Sequence, residues 1–202
     1  MIRDFLIINC TGRNDTIALK NNNKFFLKKL QTNTVKYEAL SLVVLDFIKE
    51  SNVEIEKKFS ILVNSGPGSF SGIRIALAVT KGIQLVKKLN IYSFNSFVLN
   101  AAPYFKTKEN LISIIKINNL YYYSTGTFIE EYNFETPKKL DLSQLKTNDT
   151  LVVIPEELKN DQIINNISAK KVCIAEFDLK NVDLLIENNL LENKLIKPLY
   201  LS

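Results

Sequence analysis

Histidine is absent from all 202 residues of this chain. Its absence removes His-ligated zinc or iron, serine or cysteine nucleophiles activated by imidazole, and imidazole acid–base chemistry. Only two cysteines are present, Cys10 and Cys173, too few for a disulfide framework or a thiolate metal cage. Both read as small buried packing residues. Glycine and proline are scarce, at six and five, so no long disordered stretch is expected. No apolar run approaches the ~20 residues that a membrane-spanning helix needs. The opening Met1-Ile2-Arg3-Asp4-Phe5-Leu6-Ile7-Ile8 carries an acid and no small-residue cleavage site, so it reads as a first strand rather than a signal peptide. The expectation is a cytoplasmic chain with no membrane partner.

What is present fits a globular α/β protein: 46% hydrophobic and 23% charged residues, with a formal charge of +5. The positive balance permits contact with RNA or another anion. Its lysines nevertheless fall in scattered pairs, such as Lys28-Lys29 and Lys87-Lys88, rather than in one stripe. Tyr121-Tyr122-Tyr123 cannot form a single stacking platform in a strand, because alternate residues face opposite sides.

Phe5 to Asn9 is an almost continuous apolar run, suited to a buried strand. Thr16–Lys20 and Phe25–Lys29 predict two more strands, joined at Asn21-Asn22-Asn23, residues that tolerate a left-handed turn. A helix is predicted over 35–51, entered from Asn33 or Thr34. A strand at 59–64, a helix at 71–89 and a strand at 91–94 complete a β-β-β-α-β-α lobe. The second half echoes it: strands at 111–117, 120–128, 129–134, 151–154 and 171–175, with helices at 159–168 and 178–188. Two lobes follow, 1–102 and 103–202, with the second reduced.

The distinctive stretch is Asn64-Ser65-Gly66-Pro67-Gly68-Ser69-Phe70-Ser71-Gly72-Ile73-Arg74, at a strand-to-helix junction. There a glycine-rich loop can aim backbone N–H groups at one spot. Ser65, Gly66, Pro67, Gly68, Ser69, Ser71, Gly72 and Arg74 are therefore candidate anion-binding residues. A structural turn explains the same residues, because the loop lacks the Lys-Ser/Thr ending of a P-loop and the spacing of a dinucleotide fingerprint. Arg74 opposes the helix dipole unless an anion or carboxylate compensates it.

The run from Ser65 through Gly82, with the strand into Ser93-Phe94-Asn95-Ser96 and the ending Lys197-Pro198-Leu199-Tyr200-Leu201, resembles the TsaB family, also called YeaZ. The likeness is close over 59–97, weaker over 1–58 and slight from 100 to 190. It implies an actin-like ATPase (ribonuclease H-like) fold. It also implies a non-catalytic subunit paired with a TsaD paralogue and a TsaE ATPase, acting on the tRNA adenosine beside the anticodon. ATP and metal would belong to those partner subunits and no cofactor to this one; tRNA would be met through the complex. This chain departs from the family pattern where Asn9-Cys10-Thr11 replaces Asp-Thr-Ser, and where Lys36-Tyr37-Glu38 stands near a usual histidine. Around Lys116-Ile117-Asn118 the family's Asp-Ala-Arg is also replaced.

The helix at 35–51 is apolar around most of its circumference, more than one sheet can cover. The next helix adds small residues, including Gly82 in its interior. Leu40, Val43, Val44, Phe47, Ala76, Val79 and Ile83 are the expected partner interface, with a homodimer possible when the chain is alone. Two competing readings are a small kinase or ATPase using loop 65–72 for phosphate, and a peptidase. Asn9 disfavours the first; the lack of histidine and of a nucleophile–base pair disfavours the second.

Overall fold

A computed structural model describes residues 2–12, 14–30, 39–142, 145, 147, 149–162, 166–167, 169–193 and 196–201. They form two compact units, Met1–Asn95 with Leu191–Tyr200, and Ser96–Leu190 with Leu201–Ser202. The division falls upstream of the 102/103 boundary read from the sequence. The reason is that α3, Ser96–Ala101, and a 3-10 turn at Ala102–Thr107 pack with the second unit's elements.

In the first unit the strands β1 (Phe5–Asn9), β2 (Thr16–Asn21), β3 (Lys24–Lys29), β4 (Ser60–Asn64) and β5 (Asn90–Phe94) form one sheet. Their order is β3-β2-β1-β4-β5, antiparallel for the first three and parallel from β1 to β5. The β2–β3 turn uses positive φ at Asn22 and Asn23, which asparagine adopts more readily than other non-glycine residues. β1 is buried at all five positions.

Two helices pack on one face of this sheet, α1 (Leu40–Glu50) and α2 (Phe70–Lys87). Leu40, Val44 and Phe47 of α1, and Ile73, Ala76 and Leu77 of α2, join Leu6, Ile8, Ile61 and Val63 in one core. These spacings of three and four residues define the inward stripe of each helix. The expected start of α1 at 35 and its Asn33 or Thr34 cap lie outside the described residues.

The second unit repeats the plan. Its strands are β6 (Leu111–Ile117), β7 (Leu120–Phe128), β8 (Tyr132–Phe134), β9 (Lys138–Lys139), β10 (Leu151–Pro155) and β11 (Lys171–Ala175). The order β8-β7-β6-β10-β11 matches that of the first sheet, and the Asn118-Asn119 turn again has positive φ. β9 pairs with β7 opposite Tyr122 and Tyr123. Of the helix expected at 159–168, positions 163–165 and 168 lie outside the described residues; Lys159 and Asn160 form a turn and Gln162 is helical. The closing helix is shorter than expected: Asp178 caps a 3-10 turn at Leu179–Asn181, and α4 spans only Val182–Glu187. Lys116 and Tyr121, cross-strand partners, both bind Asp161, at 2.9 and 2.7 Å, which clamps this hairpin.

Among the described residues no helix is long and apolar enough to cross a membrane.

Candidate functional site

The glycine loop leaves β4 and enters α2 directly opposite the turn that leaves β1. Two buried asparagines join the strand ends: Asn64 Nδ2 donates to Asn9 Oδ1 at 2.8 Å. Asn9 Nδ2 in turn donates to the Asn14 carbonyl at 2.9 Å, and Asn64 Oδ1 accepts from Gly66 N–H at 3.0 Å. Asn9 thus serves as donor and acceptor at once. A carboxylate in its place could not donate to Asn14, so the neutral side chain fits this network where an acid does not.

The two loops press on each other. Ser69 N–H donates to Thr11 O at 2.7 Å. A Cβ on Gly68 would collide with the Thr11 carbonyl, which accounts for glycine at that position. Ser65 N–H donates to Phe94 O, and Gly72 N–H to the Ser69 hydroxyl that caps α2. The N–H groups of Ser65, Gly66, Ser69 and Gly72 are therefore committed within the protein. An anion cradle needs such groups free and convergent, and here they hold the turn together. Pro67 is buried, whereas Ser71 is exposed beside the Ser69 hydroxyl.

Arg74 faces outward, and its compensation is aromatic. Its guanidinium lies 3.6 Å from the centre of the Phe70 ring, and Nε donates to Tyr200 Oη at 2.8 Å. Tyr200 stacks on Phe70, and Leu199 N–H donates to Ser65 O, which ties the segment around Leu199 and Tyr200 to the loop. Neither Phe70 nor Tyr200 was singled out by the sequence; the Phe70–Arg74 spacing of four residues along a helix is the signal that could have found the first. Cys10 is buried just beyond the end of β1, and burial, with the nearby Asp15 charge, pushes its thiol far above the ordinary range. A thiol held neutral in this way is a packing group, not a nucleophile.

The expected interface residues divide into two sets. Leu40, Val44, Phe47 and Ala76 are core residues, facing the sheet, and cannot be presented to another protein without unfolding the lobe. Val43, Val79 and Ile83 pack half-buried at the edge of that core. The outward apolar residues are others: Leu42, Leu45, Leu85 and Val86, at 62%, 48%, 78% and 79% exposure. Between α1 and α2 runs a groove of about 730 Å³, lined by Leu45, Ile48, Ala78, Val79, Gly82 and Ile83 among others. A Cβ placed on Gly82 would meet nothing within 4 Å, so its small size serves no contact inside this unit.

Comparison with known proteins bears on this geometry. No family model matches the sequence. It is 30% identical over 103 residues to the tRNA threonylcarbamoyladenosine biosynthesis protein TsaB of Buchnera aphidicola subsp. Baizongia pistaciae, covering 50% of this chain. The match spans 46% of that relative, slightly under half its length. The fold is that of YeaZ from Pseudomonas aeruginosa, with a TM-score of 0.72, full coverage of both chains and 14% identity. A Bacteroides thetaiotaomicron protein with an actin-like ATPase fold matches at a TM-score of 0.50 and 10% identity, covering 92% of this chain and 96% of its own. The chain resembles TsaB in sequence over about half its length and has the YeaZ fold along all of it.

Proposed function

We propose that this chain is a TsaB-type accessory subunit without an active site of its own. It binds a TsaD-type catalytic paralogue through α1 and α2 and supports threonylcarbamoylation of the adenosine beside the anticodon of tRNA. A TsaE-type ATPase completes the assembly, and ATP and metal are handled by those partners.

The observation that carries this reading is the exposed apolar groove between α1 and α2. Leu45 and Val86 line it at 48% and 79% exposure, Leu42 and Leu85 stand exposed on the same two helices, and fully burying such a side chain is worth about 1.5–3 kcal/mol. Such a patch marks an interaction surface. The glycine loop supports the same reading from the other side, because the N–H groups of Ser65, Gly66, Ser69 and Gly72 are spent on bonds within the protein, that of Ser69 on the Thr11 carbonyl of the facing loop. No observation favours the phosphate-using kinase or ATPase.

The test is reconstitution of threonylcarbamoyl transfer to tRNA with the TsaD and TsaE proteins of the same organism, with and without this chain. Transfer that requires the chain, with no turnover by the chain alone, is the expected result. Full transfer in its absence, or ATP hydrolysis by the isolated chain, refutes the reading.

A further inference from the structure

The β2–β3 hairpin gathers cations that lie apart in the sequence. The first unit holds 16 Lys and Arg against 8 Asp and Glu, whereas the second holds 10 against 13. Such asymmetry between two halves of a chain points to an anionic partner for the basic one. Residues 16–30 carry Lys20, Lys24, Lys28 and Lys29 and no acid. Ile17, Leu19 and Phe26 pack on the helix-covered core, so by alternation Lys20, Phe25, Leu27 and Lys29 point to the opposite face of the sheet. The register sets Lys20 beside Phe25 and Ala18 beside Leu27. The inner part of this face is buried at Phe5, Ile7 and Ala18. It opens on β3, where Phe25 is half-buried, Leu27 is 46% exposed and Lys29 is exposed.

The hairpin tip adds to this surface. Lys24 is exposed there, and so is Arg3, two residues ahead of β1 and next to Asp4, which accepts from Asn22 N–H at 2.9 Å. Asp4 and Glu50, the latter bound to Lys28 at 2.7 Å, are the acids that the described contacts bring to the hairpin. Against them stand five cations, Arg3, Lys20, Lys24, Lys28 and Lys29, so the hairpin stays positive. Protection of an edge strand accounts for the lysines of β3. It does not account for Arg3, or for Lys20 on the inner strand with its Nζ 5.6 Å from the centre of the Phe5 ring. Cations set around a half-open aromatic ring on a sheet surface suit a single nucleic-acid strand, whose phosphates meet the charges while a base lies on the ring.

We propose that the outer face of the β2–β3 hairpin is a contact surface for single-stranded nucleic acid. Phe25 is its stacking residue, and Arg3, Lys20, Lys24 and Lys29 are its phosphate partners. The proposal does not rest on the accessory-subunit reading, because the chain alone should show the binding.

Fluorescence anisotropy of a labelled oligouridylate and a labelled oligothymidylate, each of about 12 nucleotides, tests it on the full chain. Neutralising about two to three phosphates predicts binding about tenfold weaker at about 200 mM salt than at about 50 mM. Lys29→Glu should weaken binding about fivefold. Lys81→Glu, the same charge change on α2 across the sheet, should weaken it less than about twofold. Phe25→Leu keeps an apolar side chain and should cost about fivefold through lost stacking. Thermal melts of the Lys29 and Lys81 variants should match the parent, since both lysines are exposed. Binding of either oligonucleotide in this pattern bears the proposal out, and the tighter of the two tells RNA from DNA. Binding of neither, equal losses from the two lysine variants, or full binding by Phe25→Leu overturns it. So does tighter binding to polyglutamate, or to vesicles of equimolar phosphatidylcholine and phosphatidylserine. The two ideas fail separately. Transfer that needs a chain whose hairpin binds no oligonucleotide removes only this proposal, and oligonucleotide binding by a chain that transfer does not need removes only the function above.

Discussion

Gly82 sits in the interior of an 18-residue helix, exposed to water, with open space where a Cβ would be. Glycine there costs about 0.8–1 kcal/mol of helix stability relative to alanine. Among the described residues nothing offsets that cost by packing against it. Gly82→Ala should therefore stabilise the isolated chain by about that amount, a rise of about 2–4 °C in melting temperature for a protein of this size. The same methyl group lies on the groove where the proposed partner would approach, and overfilling a close contact costs about 1–3 kcal/mol. The variant should melt higher and yet bind its partner about tenfold more weakly. Differential scanning fluorimetry and calorimetric titration measure the two quantities on one preparation. A lower melting temperature contradicts the local geometry, and a higher one with unchanged affinity shows that no partner closes over Gly82.

Three further expectations concern the core and the loops. Leu40→Ala should cost about 2–5 kcal/mol in urea unfolding, whereas Leu45→Ala should change stability by less than about 1 kcal/mol; similar losses would mean that the inward and outward faces of α1 are misassigned. Asn9→Asp replaces a buried donor to the Asn14 carbonyl with an acid, so burial should raise the new carboxyl's pKa in the folded state. Its stability then resembles the parent below about pH 4 and falls as pH rises towards 7, by about 2–4 kcal/mol. A pH-independent difference from the parent would exclude a buried ionising group there. Gly68→Ala, driven into the Thr11 carbonyl, should lower the melting temperature sharply; a neutral outcome would show that the two loops are free to part.

The first lobe was legible because its cues are local. The unbroken apolar run of β1, the paired asparagines at 22 and 23, and the glycine-rich exit from β4 each specify an element without reference to anything distant. The proposed interface was only half legible. Leu40, Val44 and Phe47 share one stripe with Leu42 and Leu45 on the other side, and both stripes are apolar. Composition cannot say which faces the sheet; the period of α2, where Ile73, Ala76, Leu77 and Thr80 point inward, could have separated them. Other features left no sequence signal. The return of Leu191–Tyr200 to the first unit depends on Glu192 pairing with Ser93 and Tyr200 meeting Phe70. Those contacts join residues far apart in the sequence, Ser93 with Glu192 and Phe70 with Tyr200. β9 is too short for any periodicity to register.

The central claim, that this chain is a subunit docked through its α1–α2 groove, is tested most directly by co-expressing it with the TsaD-type protein of its organism and measuring complex mass by light scattering. A one-to-one complex that is lost with Leu45→Glu or Val86→Glu, while each variant keeps the parent's melting temperature, is the predicted result. No complex at micromolar concentration, or a complex indifferent to both substitutions, would contradict it.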